Sequence, residues 1–275
     1  GAKQLVFAGD KVAVKGRLTP AKAGQRVAVR ILRDGKPLKE RTVKTARDGR
    51  FSHTFGGVSA GQARVVAVHE RSRAIARSRA TPRELAVLEP SASYGSRSAS
   101  VQWLQRKLAQ KRYAVPRNGV FDDATGRAVI AFRKLTGMAR TATADRAVFE
   151  ALAAGKGAFK VKYPNHGRHV EGDLSHDVLA LIDKGGKVHR IYHTSPGAAA
   201  TPTILGTYRV YRKDYGANAI GMVHSAYFIR GYAIHGYHSV PVYKASHGCF
   251  RVPLANALYI YNWIDMGTIV DSYYR

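Results

Sequence analysis

"AIHGYHSVPVYKASHGCFR", residues 233–251, holds the only cysteine of the chain, Cys249, with His247 two places before it and Arg251 two places after, and with His235 and His238 upstream in the same stretch. A thiol is a weak nucleophile until it loses its proton, at an unperturbed pKa of about 8.5. An imidazole is the side chain suited to accept that proton near neutrality. Thiol catalysis needs a cysteine, a histidine, a group that orients the histidine, and backbone amides that stabilise an oxyanion. The stretch offers a candidate for each: His235, His238 or His247 as the base, and Gly248 just before the thiol, where the missing side chain lets backbone approach a substrate. Arg251 adds a planar cation suited to a carboxylate. A lone cysteine is by itself most often an inert buried residue; three neighbouring histidines turn the reading toward chemistry. No metal site is expected. A zinc site of the deaminase type needs a second cysteine and a glutamate in the histidine motif, and His176 with Asp183 is spaced as only half of a zinc peptidase motif.

On both sides of this stretch, residues 158–275 are rich in Gly and Tyr and hold nine of the eleven histidines. "VLALIDKGGKVHRIYHTS" (178–195) predicts a hairpin around Gly185 and Gly186, "TPTILGTYRVYRK" (201–213) a further turn and strand, and "YFIRGYAIHGY" (227–237) a strand running into His235. "LANALYIYNWIDMG" (254–267) predicts a short helix ended by Gly267, and "TIVDSYY" (268–274) a closing strand.

Upstream, residues 96–154 switch to helical spacing. Val101, Leu104 and Leu108 share one face, Val129, Phe132 and Leu135 another, and Val148 and Leu152 a third. Asp122 or Asp123 reads as the cap of the second helix and Thr143 as that of the third, with Gly155 ending it. Residues 71–100, with "ERSRAIARSRATPRE" (70–84) and "EPSASYGSRSAS" (89–100), read as a polar linker. Before it, "KVAVKGRL" (11–18), "RVAVRIL" (26–32) and "ARVVAVHE" (63–70) alternate with a period of two, and "RDGK" (33–36) and "RDGR" (47–50) supply hairpin turns. Short strands at this spacing predict a small β-sandwich that serves as a spacer.

The net charge is +27, divided as +14 over residues 1–88, +7 over 89–157 and +6 over 158–275. A field of this size holds the protein near polyanions. The charge is not gathered on one element and no nucleic-acid-reading motif accompanies it, so nucleic acid is not an expected partner, and an anionic surface such as a cell wall fits the charge equally well. No apolar run reaches the length of a membrane span. The first ten residues, "GAKQLVFAGD", lack the pattern of a signal peptide, and a removed export signal is compatible with the sequence.

"VQWLQRKLAQKRY" (101–113), "NGVFDDATGRAVIAFRKLTGM" (118–138) and "TADRAVFEAL" (143–152) resemble the three-helix peptidoglycan-binding domain, through Leu104, Gln105, Leu108, Gly119, Phe121, Thr125, Val129, Phe132 and Gly137. The layout of the first strands resembles bacterial immunoglobulin-like modules. Residues 160–273 resemble the L,D-transpeptidases (YkuD-type domain) through "TPTILGTYRV", "IHG", "SHGCFR" and "GTIVDSY", in the order of that family. The three resemblances together imply a multidomain chain, mainly β with a small α domain: an immunoglobulin-like β-sandwich at 1–88, a peptidoglycan-binding helical domain at 89–157 and a β-rich catalytic domain at 158–275.

The transpeptidase resemblance implies a ping-pong acyl transfer without cofactor. Cys249 would attack the third residue of a tetrapeptide stem, release the terminal D-Ala and pass the acyl group to a second stem as a 3-3 cross-link. It implies His235 as the base, the carbonyl of Gly236 orienting the imidazole, and the amides of Gly248 and Cys249 as oxyanion donors. His247, Arg251 and Tyr232 would position substrate with Ser246, whose main part is shaping the turn; His238 is read as a structural or rim residue. The same site with water as acceptor would be an L,D-carboxypeptidase, and a silent site would leave a non-catalytic wall- or polyanion-binding protein. Expected partners are peptidoglycan stem peptides and anionic wall polymers, met outside the cytoplasm by a monomer.

Overall fold

Alternating apolar residues build the first half of the fold. In the computed structural model, which describes residues 4–275, contacts divide the chain into a unit at 1–90 and a unit at 91–275. The first unit contains β1 (Gln4–Phe7), β2 (Val12–Arg17), β3 (Arg26–Arg33), β4 (Lys36–Lys44), β5 (Arg50–Phe55), β6 (Gly61–His69), β7 (Ser78–Arg79) and β8 (Arg83–Leu88). A six-stranded sheet, in the order β1-β8-β6-β3-β4 with β7 on β6, faces the pair β2-β5. Val12 and Phe55 from the pair meet Val27, Val29, Ile31, Leu85 and Val87 from the sheet in one core, as in a sandwich. Asp34 and Gly35 both take positive φ, 49° and 78°, the conformation of a tight hairpin turn. The linker reading of 71–88 is corrected: Ile75 is buried in this core, and β8 lies between β1 and β6. Its "LAVL" run, buried at every position, outweighs the Arg-rich segment before it.

The second unit begins with three helices, α1 (Ala99–Gln110), α2 (Asp123–Leu135) and α3 (Arg146–Ala153). Ser98 caps the first and Asp122 the second. The third is capped by Asp145, whose Oδ1 accepts from Val148 N–H at 3.2 Å, and not by Thr143, whose carbonyl is taken by the Arg133 side chain. The rest comprises β9 (His169–Asp173), β10 (Val178–Asp183), β11 (Lys187–His193), β12 (Gly206–Arg209), β13 (Arg212–Ala217), β14 (Val223–Ile229), β15 (Tyr232–Tyr237), β16 (Phe250–Pro253), α4 (Leu254–Trp263) and β17 (Ile269–Tyr273). The stretch 227–237 is a hairpin and not one strand, because Arg230 takes a positive φ of 48° between β14 and β15. The helix predicted to run to Gly267 ends at Trp263.

These strands form a five-stranded sheet, β11-β10-β9-β17-β12, and a four-stranded sheet, β13-β14-β15-β16. Val170, Leu179, Leu181 and Tyr192 from the first meet Ala226, Phe228, Ile234, Phe250 and Val252 from the second, with Ala257, Ile260 and Trp263 of α4. A Cβ on Gly172 would lie 2.2 Å from Phe250 Cζ, so only glycine lets β9 approach β16 this closely. Successive side chains of a strand alternate between faces. With Ile234 and Phe250 facing the core, Ala233, His235, Cys249 and Arg251 take the opposite face. The architecture is mainly β, with a small helical region between two β regions.

Candidate active site

The parallel pairing of β15 with β16 matches Ile234 with Phe250 and His235 with Arg251. Cys249 therefore stands beside Ala233, one side-chain repeat along the same face from His235. Sequence-distant groups meet because the segment 238–249 between β15 and β16 loops out and returns in parallel register. The sulfur packs on Met222, Tyr227 and Ala233 and is half-buried. Sγ accepts from Ala233 N–H at 3.4 Å and donates to Gly231 O at 3.6 Å. Burial pushes the Cys249 thiol up, while the Ala233 amide and the Arg251 charge pull the other way.

His235 is 3% exposed, and its Nδ1 lies 2.9 Å from Gly236 O. A carbonyl only accepts, so Nδ1 carries the proton and Nε2 keeps its lone pair. Burial pushes the His235 pKa down to about 4; the Gly236 carbonyl opposes this and Arg251 adds to it. The resting pair is thus a neutral thiol and a neutral imidazole. Arg251 acts on both groups, and its guanidinium stacks 4.3 Å from the ring centroid of Tyr237. Tyr237 in turn meets His235 edge-on at 5.7 Å. Tyr237 was not singled out from sequence; its place two residues beyond His235 on a strand was the available signal.

One sequence expectation meets a competing hydrogen bond. Gly248 N–H donates to Ser246 Oγ at 3.0 Å, so in this arrangement it is not a free oxyanion donor, whereas the Cys249 N–H makes no hydrogen bond among the described residues. Ser246 is 1% exposed and its Oγ donates to Cys249 O at 2.6 Å, which encloses it in the turn. Gly248 has φ +106°, and a Cβ there would lie 2.1 Å from Tyr232 Cε1. The half-buried Tyr232 ring thus lies against the backbone preceding the thiol. His247 and His238 are both exposed, and the ring of His238 packs 4.3 Å from Tyr237. No three His, Cys, Asp or Glu side chains among the described residues converge as metal ligands.

A family model for the L,D-transpeptidase catalytic domain (YkuD) matches residues 167–271, and one for a peptidoglycan binding domain matches residues 97–152. The crystal structure of the L,D-transpeptidase of Xylanimonas cellulosilytica is 30% identical over 66% of this chain and 97% of that one, with a TM-score of 0.60. The chain belongs to the L,D-transpeptidases. The L,D-transpeptidase of Stackebrandtia nassauensis is 19% identical over 67% of this chain and 95% of that one, with a TM-score of 0.42. No curated protein sequence matches. Both β15 and β16 fall inside the YkuD match, and the three helices inside or beside the peptidoglycan-binding match, so in this L,D-transpeptidase the peptidoglycan-binding match directly precedes the catalytic-domain match. Among the described residues no helix is long and apolar enough to cross a membrane.

Proposed function

We propose that this transpeptidase joins peptidoglycan stems through a thioester on Cys249 and forms 3-3 cross-links. The observation that carries the reading is the shared face of His235 in β15 and Cys249 just before the parallel strand β16, with Nδ1 held by Gly236 O. With both groups neutral at rest, His235 Nε2 takes the thiol proton as Sγ attacks the carbonyl carbon of the third stem residue. Concerted transfer of this kind suits a base held in place by its own hydrogen bond. The oxyanion forms beside the Cys249 amide, which has no other partner among the described residues. Collapse breaks the C–N bond to the terminal D-Ala, which leaves with the proton from His235. An amine of a second stem, deprotonated by the same imidazole, then attacks the thioester, forms the new amide and restores the thiol. Arg251 supplies a cation for a stem carboxylate. His247 and Tyr232 border the approach, with Ser246 and Gly248 fixing the turn between them.

The boundaries at 1–88, 89–157 and 158–275 describe a spacer, a wall-binding helical domain and a catalytic domain. Tethering of this kind raises the local concentration of the site at an insoluble substrate, and such a wall-acting chain works outside the cytoplasm. Incubation with tetrapeptide muropeptides tests the reaction. Dimers with release of D-Ala are expected; tripeptide products alone would replace the cross-linking reading with the carboxypeptidase one.

A further inference from the structure

Two cations of the helical region reach the residues at the ends of β10 and β11 and the loop between β15 and β16. Lys134, in the last turn of α2, is 3% exposed. Its Nζ donates to Asp177 O at 3.0 Å, Thr194 O at 2.9 Å and His193 Nδ1 at 2.9 Å. Three acceptors saturate an ammonium group. Because His193 Nδ1 accepts, its Nε2 carries the ring proton, and it donates to Val240 O at 2.9 Å. Arg140, in the segment after α2, donates Nη1 to Asp177 Oδ2 at 2.6 Å and to Val242 O at 2.8 Å. Lys244 pairs with Asp177 as well, and Ser195 Oγ donates to Tyr243 O at 2.6 Å. The carbonyls of Val240, Val242 and Tyr243 all belong to the loop that leaves His235 and returns to Cys249. A lysine in a last helical turn is ordinarily a solvated cation facing the helix dipole, and burying one is costly unless its donors are used.

We propose that Lys134 and Arg140 are positioning residues of the transpeptidase site, through which the helical region holds the loop 238–246 and so keeps His235 and Cys249 in register. The proposal rests on the reading of Cys249 as nucleophile and His235 as base. It makes the peptidoglycan-binding helices a working part of the acyl-transfer site as well as a tether. Removing Arg140 frees the Val242 carbonyl directly, and removing Lys134 loosens His193, which holds the Val240 carbonyl; either change lets the loop drift, and small displacements of reacting groups cost large factors in rate.

The test compares full-length parent, Lys134→Met and Arg140→Gln in saturable acylation by a carbapenem, followed by intact mass. The limiting rate constant is expected to fall about tenfold or more in each variant. The half-saturating concentration, the final stoichiometry of one adduct per chain and the rate of Cys249 alkylation by iodoacetamide are expected to change less than about twofold. A purely structural role would instead lower the adduct stoichiometry and leave the limiting rate of the folded fraction unchanged; that result overturns the proposal, as does an unchanged rate at full stoichiometry. Should Lys134→Met fail to fold, Arg140→Gln, whose side chain is 35% exposed, decides alone. Absence of any adduct in the parent defeats the Cys249 reading, a different outcome from unaltered rates in the variants.

Discussion

At the scale of single residues, the chemistry turns on two neutral groups. Since burial holds His235 down to about 4, it remains an available base well below the usual histidine range and is lost only when protonated. The acid limb of kcat/KM for acylation, which reports the free enzyme, is therefore expected near pH 4. A limb near 6.5 would show that the imidazole is not shielded as the fold implies. The backbone before the thiol is equally constrained. Gly248→Ala meets both the Tyr232 ring and a positive φ of +106°, a strain of about 1–3 kcal/mol. It should lower the urea midpoint and slow acylation by at least tenfold, and Gly248→Ala with Tyr232→Ala should recover only part of the stability because the backbone strain persists. Cys249 and Arg251 stand out in the sequence by residue type and spacing, which leave His235, His238 and His247 all open as the base; His235 is singled out only by the resemblance to the L,D-transpeptidases. That Ser246 shapes the turn is legible from sequence, but that its Oγ takes up the Gly248 amide depends on a hydrogen bond that spacing does not reveal.

At the scale of elements, α2 shows where sequence reading stopped. Its cap and apolar face follow from residue type, but Lys134 reads as a solvent cation until β10 and β11 pack over it. The β14–β15 hairpin was hidden for a related reason: its turn uses Arg230 and Gly231 in place of the Asn-Gly or Asp-Gly pairs that announce tight turns. Burial pushes the Lys134 pKa down to about 7, opposed by the Asp177 carboxylate and reinforced by the charges of Arg140 and Lys244. An unfolded lysine keeps its proton to about 10.4, so between these values the unfolded chain binds more protons and stability rises with pH. The urea midpoint of the parent should therefore gain more between pH 7 and pH 9 than that of Lys134→Met. The difference is expected to be about 1 kcal/mol per pH unit, and equal pH responses would show that burial does not lower the Lys134 pKa.

At the scale of the whole chain, each unit closes its own core, and every residue of the proposed site belongs to 91–275. A chain of residues 91–275 alone should acylate at the rate of the full chain within about twofold. A large share of the +27 charge lies in 1–88, so the same truncation should weaken retention on anionic walls, chiefly at low salt where charge is least screened. Chain-wide charge was readable from composition, whereas the return of 71–88 into the first sheet was not, since it depends on β8 finding β1 and β6. The most direct test of the account is peptide mapping after a carbapenem. A single adduct on Cys249, absent from Cys249→Ala and formed at least a hundredfold more slowly in His235→Gln, is the predicted result. No adduct, an adduct on another residue, or an undiminished rate in His235→Gln would contradict it.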